Sequence, residues 1–359
     1  MLTPEMINIL TITFQATLAI LIVILIGAFM RRVKWLTPAA DKPLTDLTMN
    51  VLYPAATFVS IRGNENLANP LFVLEVVLIG WISIAVGMVV SRLYVRFFSP
   101  LTGLESDTQK RTFVMCNCLF NYGFLPIPLC ALLFNSQTLG VLFVFNVGTV
   151  IGMWTIAVAA LSKDAVKESI RQLCAPAMIG VYIALLFNYL PWSNQLPECI
   201  ETSMTWLNQS MIPLSLLLVG GIMYDEFSAN GGREDDVMLP KKLDSKIPTS
   251  NLEPTLSVSA RDSEFTFWNS FKLIGSTILI RLVLVPILFI LWAKYLTSSA
   301  DLQRILIVQA AMPSAIMCLV WSRQFNGDPP TALRCVIVTN LLSILTTLFW
   351  IPLGLQFLG

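Results

Sequence analysis

The 359-residue chain has no histidine, and only 13% of its residues are charged, against roughly 25% in soluble domains. Without an imidazole there is no His-ligated zinc and no Ser-His or Cys-His catalytic pair. The seven cysteines contain no C-x-x-C pair and lie mainly in apolar stretches, so they read as small buried side chains and not as a metal or disulfide framework. No G-x-x-x-x-G-K-[ST] phosphate loop occurs, which disfavours a primary pump. Basic and acidic residues number 23 and 22, leaving no basic excess with which to bind nucleic acid. No cofactor and no metal site is expected.

What the chain does have is apolar length. Hydrophobic residues make up 55% of it and its mean hydropathy is +0.72. They fall in ten blocks, each about long enough to cross a ~30 Å hydrocarbon core: Ile9 to Met30, Leu44 to Ile61, Leu71 to Val95, Thr112 to Phe134, Thr138 to Leu161, Leu173 to Leu190, Met204 to Tyr224, Phe267 to Ala293, Leu302 to Trp321 and Ala332 to Phe357. The expected class is an all-α polytopic membrane protein in contact with the lipid bilayer, in the plasma or bacterial inner membrane. The first block has no basic segment before it and no small-residue cleavage site after it, and is expected to be a retained span.

Basic residues stay on the cytoplasmic side of a membrane. Nineteen of the 23 lie in the odd-numbered loops and their helix edges, three (Arg62, Lys294, Arg304) in the even-numbered ones, and Arg281 inside the eighth block. Both termini are therefore expected to be non-cytoplasmic. Ten spans divide into five and five, as an inverted repeat requires: residues 1–162 and 171–359. Prolines mark corresponding blocks: Pro54 and Pro213 in the second and seventh, Pro126, Pro128 and Pro313 in the fourth and ninth. The 225–264 loop, polar and charged, is expected to be a disordered cytoplasmic linker or a regulatory segment.

In the fourth block Pro126 and Pro128 cannot share one continuous helix, since each removes an amide donor and clashes with the preceding turn. A break near mid-membrane is expected, and another at Pro313. Such breaks are tolerated where they line a cavity, and a freed helix N-terminus attracts anions. Asn117, Asn121, Pro126, Pro128, Gln309, Pro313 and Ser314 are the candidate substrate contacts, with Asn146. Asn50, Asn146, Thr149 and Asn340 also suit hydrogen bonds between helices. Two charges inside spans, Arg281 and Glu75, are candidate charge sites; Arg281 reads as an anion counter-charge, a partner for Glu75, or a donor to backbone carbonyls.

The segments Gly27 to Arg32 with Lys34-Trp35-Leu36-Thr37-Pro38, Leu52-Tyr53-Pro54-Ala55, Asn121 through Leu129, Ile212-Pro213-Leu214 with Gly220-Gly221, and Ala310-Ala311-Met312-Pro313 with Phe325-Asn326-Gly327-Asp328-Pro329 occur in this order. Together the chain resembles the auxin efflux carrier family of PIN-like transporters. The resemblance implies two inverted five-helix repeats, as in bile-acid-symporter and NhaA-like folds. Helices 1, 2, 6 and 7 would form a scaffold and homodimer surface. Helices 3–5 and 8–10 would form a transport domain with broken helices 4 and 9 crossing. It further implies elevator-type export of small organic carboxylates, auxin in plants and dicarboxylates such as malate in bacteria, with Asn121 matching an asparagine that contacts the carboxylate. Plant members carry an acid early in helix 3, matched by Glu75, but Ile79 stands where their lysine would be, and Met317-Cys318 where they have a proline at the helix 9 crossing. That argues against proton-linked steps and against auxin itself.

A potential-driven uniporter or exchanger of organic anions is thus the expectation. The alternatives are a sodium- or proton-coupled carboxylate symporter, a membrane receptor or regulator without transport, and an intramembrane protease. The last would rest on Tyr224-Asp225, but it lacks a second intramembrane aspartate, so the chain is not expected to be an enzyme.

Overall fold

A computed structural model describes residues 4–161, 171–190, 196–229, 267–297 and 299–358. Among them the fold is all helical, with one isolated β-bridge and no strand. Six helical stretches are long and apolar enough to cross a membrane: Ile7–Arg32, Pro70–Thr102, Ser136–Val158, Glu198–Asp225, Asn269–Leu296 and Pro329–Leu358. They belong to α1 (Pro4–Arg32), α4 (Pro70–Thr102), α7 (Ser136–Gly152, continued by a π-helical turn), α9 (Glu198–Ala229), the pair α10 (Phe267–Thr277) and α11 (Val285–Leu296), and α14 (Pro329–Leu358).

The other four apolar blocks take different forms. The second is a composite of α2 (Pro38–Leu47), a π-helical segment (Thr48–Leu52) and α3 (Tyr53–Ile61), with Pro54 directly after the π-helical turn, a local irregularity of the kind found where a helix absorbs a proline. The sixth is the short apolar helix α8 (Pro176–Asn188). The fourth is split into α5 (Asp107–Cys118) and α6 (Pro126–Leu133), and the ninth into α12 (Ala300–Ala310) and α13 (Met317–Gln324). Helix α9 runs on through Ala229, so the loop expected from Asp225 starts at least five residues later than its composition suggested. Asp225 is anchored there by Arg31 of α1, whose Nε lies 3.4 Å from its carboxylate and whose Nη2 contacts Asp41. The expected disordered linker otherwise falls outside the described residues.

Burial separates centre from periphery. In the most apolar stretch of Ser136–Val158, 83% of residues are buried, against 22% in that of Ile7–Arg32; α7 is a core helix and α1 a peripheral one. Several pairs of helices approach closely through glycine. A Cβ on Gly148 of α7 would fall 1.9 Å from the Val77 carbonyl oxygen of α4, and one on Gly220 of α9 would fall 2.0 Å from that of Ile24 of α1. Small residues that admit such close backbone contact replace the hydrophobic driving force that lipid does not supply. α1, α2–α3, α8 and α9 pack on one another, and α4, α5, α7 and α10–α14 form a second packed group.

Candidate functional site

The two helix breaks meet. Residues 119–125 and 311–316 run past each other as a single antiparallel bridge, Phe120 opposite Ser314. The Asn121 N–H donates to the Pro313 carbonyl at 2.8 Å and the Ala315 N–H to the Leu119 carbonyl at 3.0 Å. Against expectation Pro126 and Pro128 share one helix, because both fall in the first turn of α6, where no intrahelical donor is required; the break lies before them, and each break supplies partners that the other lacks. Helix α14 secures the crossing from the side. Thr339 Oγ1 accepts the Ser314 N–H at 3.2 Å, and Asn340 Nδ2 donates to the Ser314 carbonyl at 3.1 Å.

A cavity of about 320 Å³ lies against this crossing, within the range of small-molecule sites. Asn121, Tyr122, Gly123, Phe124, Ile127 and Pro128 line it from the first break and the start of α6, and Ala315, Ile316 and Met317 from the second break and the start of α13. The N-termini of both half-helices thus reach one cavity, each bringing partial positive charge. The opposite wall is Asn50, Tyr53, Met49, Met178, Met211 and Ser215. No charged side chain lines it among the described residues. It extends to Thr45, Gln172 and Ile222, the end of the bundle where Lys42 and Arg171 stand in the sequence. A second cavity of about 80 Å³, bounded by Leu125, Leu129, Met312, Asn340 and Ser343, also reaches Asn121. Asn121, only 5% exposed, thus lines both cavities, as does Val219 of α9.

The other sequence-predicted residues lie as follows. Pro128 lines the main cavity; Pro126 is buried at the start of α6, and Pro313 gives its carbonyl to Asn121. Asn117 is buried on α5 and its amide donates to the Phe113 carbonyl one turn back at 2.9 Å. Gln309 and Ser314 are buried, and neither the Gln309 amide nor the Ser314 hydroxyl finds a hydrogen-bond partner among the described residues. Asn146, buried on α7 beside Tyr53, lines neither cavity, and its amide atoms lack a partner in hydrogen-bonding geometry. Glu75 is half-buried near the start of α4. Arg281 is fully buried and outside both cavity linings; its Nε donates to the Met312 carbonyl at 2.9 Å and its Nη2 to the Gln309 carbonyl at 3.1 Å. No ion pair joins it to Glu75 among the described residues. The reading that gave Arg281 to backbone carbonyls describes these contacts; its electrical role is a separate matter.

Sequence reasoning missed Tyr53, Tyr122, Ser215 and Met317 as cavity walls, and Thr339 as a brace. Tyr53 was within reach, because it stands in the Leu52-Tyr53-Pro54-Ala55 motif. Ser215 and Thr339, single hydroxyls in apolar helices, carry no signal of their own.

Two comparisons bear on this geometry. The chain is 21% identical over 355 residues to an uncharacterized transporter of Methanocaldococcus jannaschii, a match covering 94% of this chain and 98% of that one. The profile of the membrane transport protein family matches residues 12–351, all the elements that build the crossing and both cavities, and the chain belongs to that family, the auxin efflux carriers.

Proposed function

We propose that this membrane transporter moves small organic anions, specifically monocarboxylates with an apolar body, by alternating access at the crossing of its two broken helices. The observation that carries the reading is the placement of Asn121. Its amide can donate to a carboxylate beside the N-termini of α6 and α13, in a cavity with no acidic side chain to repel an anion. The methionine and tyrosine walls suit an apolar body, and a second carboxylate would find no counter-charge among them.

Ten spans in two inverted repeats account for the register. The spacing from Phe120 to Asn146 equals the 26 residues from Ser314 to Asn340, so the paired residues of the bridge and the asparagines of α7 and α14 occupy matching places in opposed halves. In this reading α2–α3, α5–α6, α8 and α12–α13 are the four spans that length alone does not reveal. The two groups of packed helices correspond to a scaffold, which would carry the homodimer surface, and a transport domain that shifts as an elevator. The main cavity then faces the cytoplasm, because it extends toward the basic loops, and the smaller one marks the route on the other side of Asn121.

The test is binding of radiolabelled phenylacetate and malate to purified protein in detergent. Saturable binding of phenylacetate that malate displaces poorly supports the reading; preference for malate, or binding equal in Asn121→Ala, contradicts it.

A further inference from the structure

We infer that Arg281 is the fixed counter-charge of the transported anion, so that the loaded carrier crosses the membrane electrically neutral and the membrane potential acts on the return of the empty one. This rests on the anion-transport reading above.

Three charged side chains are buried among the described residues: Arg31, Asp301 and Arg281. Arg31 faces Asp41 and Asp225, and Asp301 faces Arg304. Arg281 has no acidic partner among the described residues, though it is 0% exposed. Its contacts are two carbonyls and the Phe120 ring, whose centroid lies 5.2 Å from the guanidinium carbon, and its Nη1 has no hydrogen-bond partner. An uncompensated cation at this depth is expensive, and carbonyl dipoles do not cancel its net charge. The local backbone departs from regularity around it: Ile278–Leu284 is π-helical, a form concentrated at functional positions. The repeat register places Gly87 of α4 at the matching position, and there the chain has no charge and packs against Cys118. The cation is thus an addition to one half of the fold and not a requirement of the crossing.

Its position couples it to the anion. Phe120, under the guanidinium, precedes Asn121, and Met312, whose carbonyl Arg281 binds, lines the smaller cavity together with Asn121. In a medium of low dielectric, opposite charges interact strongly across several ångströms. A carboxylate at Asn121 is the missing anion. Because hydrogen bonds tie Arg281 to the crossing, any motion that exchanges the access of Asn121 carries a net charge when the site is empty and none when a monoanion fills it. Movement of one charge through 100 mV changes an equilibrium by up to about 50-fold. An inside-negative potential then draws the empty carrier back toward the cytoplasm and favours net export.

The experiment records transient currents from protein in planar bilayers after voltage steps in the absence of any anion substrate. Wild type is expected to show a saturating charge movement of at most one elementary charge per protomer, retained in Arg281→Lys and abolished in Arg281→Gln. Absence of the transient in wild type, or its persistence in a monodisperse Arg281→Gln protein, overturns the inference. Should Arg281→Gln fail to fold, wild-type proteoliposomes decide. Phenylacetate exchange under equal concentrations should ignore a potential that changes net efflux several-fold, and equal voltage sensitivity of the two would refute the counter-charge. Absence of any carboxylate flux, with the charge movement present, would instead count against the anion-transport reading.

Discussion

Phe120 and Ser314, from opposite halves of the chain, form the one β-bridge among the described residues. The hydrogen bonds that flank it let two helix breaks satisfy each other. Asn340 completes this arrangement by holding the Ser314 carbonyl. Asn340→Ala leaves that carbonyl buried and short of a partner, at a cost of about 1–3 kcal/mol. A lowered melting temperature in detergent, with unchanged elution on size exclusion, is the expected result.

The glycine contacts predict opposite outcomes for two substitutions. Gly148→Leu drives a side chain into the Val77 carbonyl of α4 and should cost about 3 kcal/mol or more, read as loss of monodisperse protein. Gly275→Ala meets nothing within 4 Å and removes freedom from the unfolded chain, so its melting temperature should rise, consistent with a gain of about 0.4–1 kcal/mol.

Two native cysteines report topology. Of the seven, Cys174 and Cys199 are exposed and the rest buried. The basic-loop distribution puts Cys174 on the cytoplasmic side and Cys199 on the other. An impermeant maleimide should label Cys199 in intact cells and Cys174 only after permeabilisation; the reverse pattern would invert the protein.

Proline made the breaks legible in the sequence, because Pro126 starts α6 and Pro313 lies between α12 and α13, although Pro128 is accommodated in the first turn of α6 and Pro213 within continuous α9. That the breaks cross was legible only through the family resemblance, and their hydrogen-bonded pairing was not legible at all. It is made by backbone groups of Leu119, Asn121, Pro313 and Ala315, and a backbone hydrogen bond leaves no trace in side-chain type. Backbone carbonyls were one of three readings open for Arg281, but which carbonyls it binds was not legible, and neither were the π-helical segments, which have no compositional signature. Helix ends were misjudged where polar residues carry the helix beyond its apolar core, as at Glu198 and at Asp225–Ala229. Asn121 was visible only because it stands shortly before the prolines and matches a family motif, and the structure puts it inside the break; Asn117, of the same type and one turn earlier, turns its amide to its own helix.

Asn121→Ala removes a donor to a charged ligand group without disturbing the bridge, which uses the backbone of residue 121. Affinity for phenylacetate should fall by about 1–3 kcal/mol, roughly 5- to 150-fold, with melting behaviour of the unliganded protein unchanged.

The central claim, a potential-driven carrier of organic anions, is tested most directly by radiolabelled phenylacetate flux in proteoliposomes under an imposed potassium-diffusion potential, with pH clamped and sodium omitted. The account predicts movement of the anion toward the positive side, increasing with the potential and weakened in Asn121→Ala. Flux that ignores the potential and follows a pH or sodium gradient would contradict it.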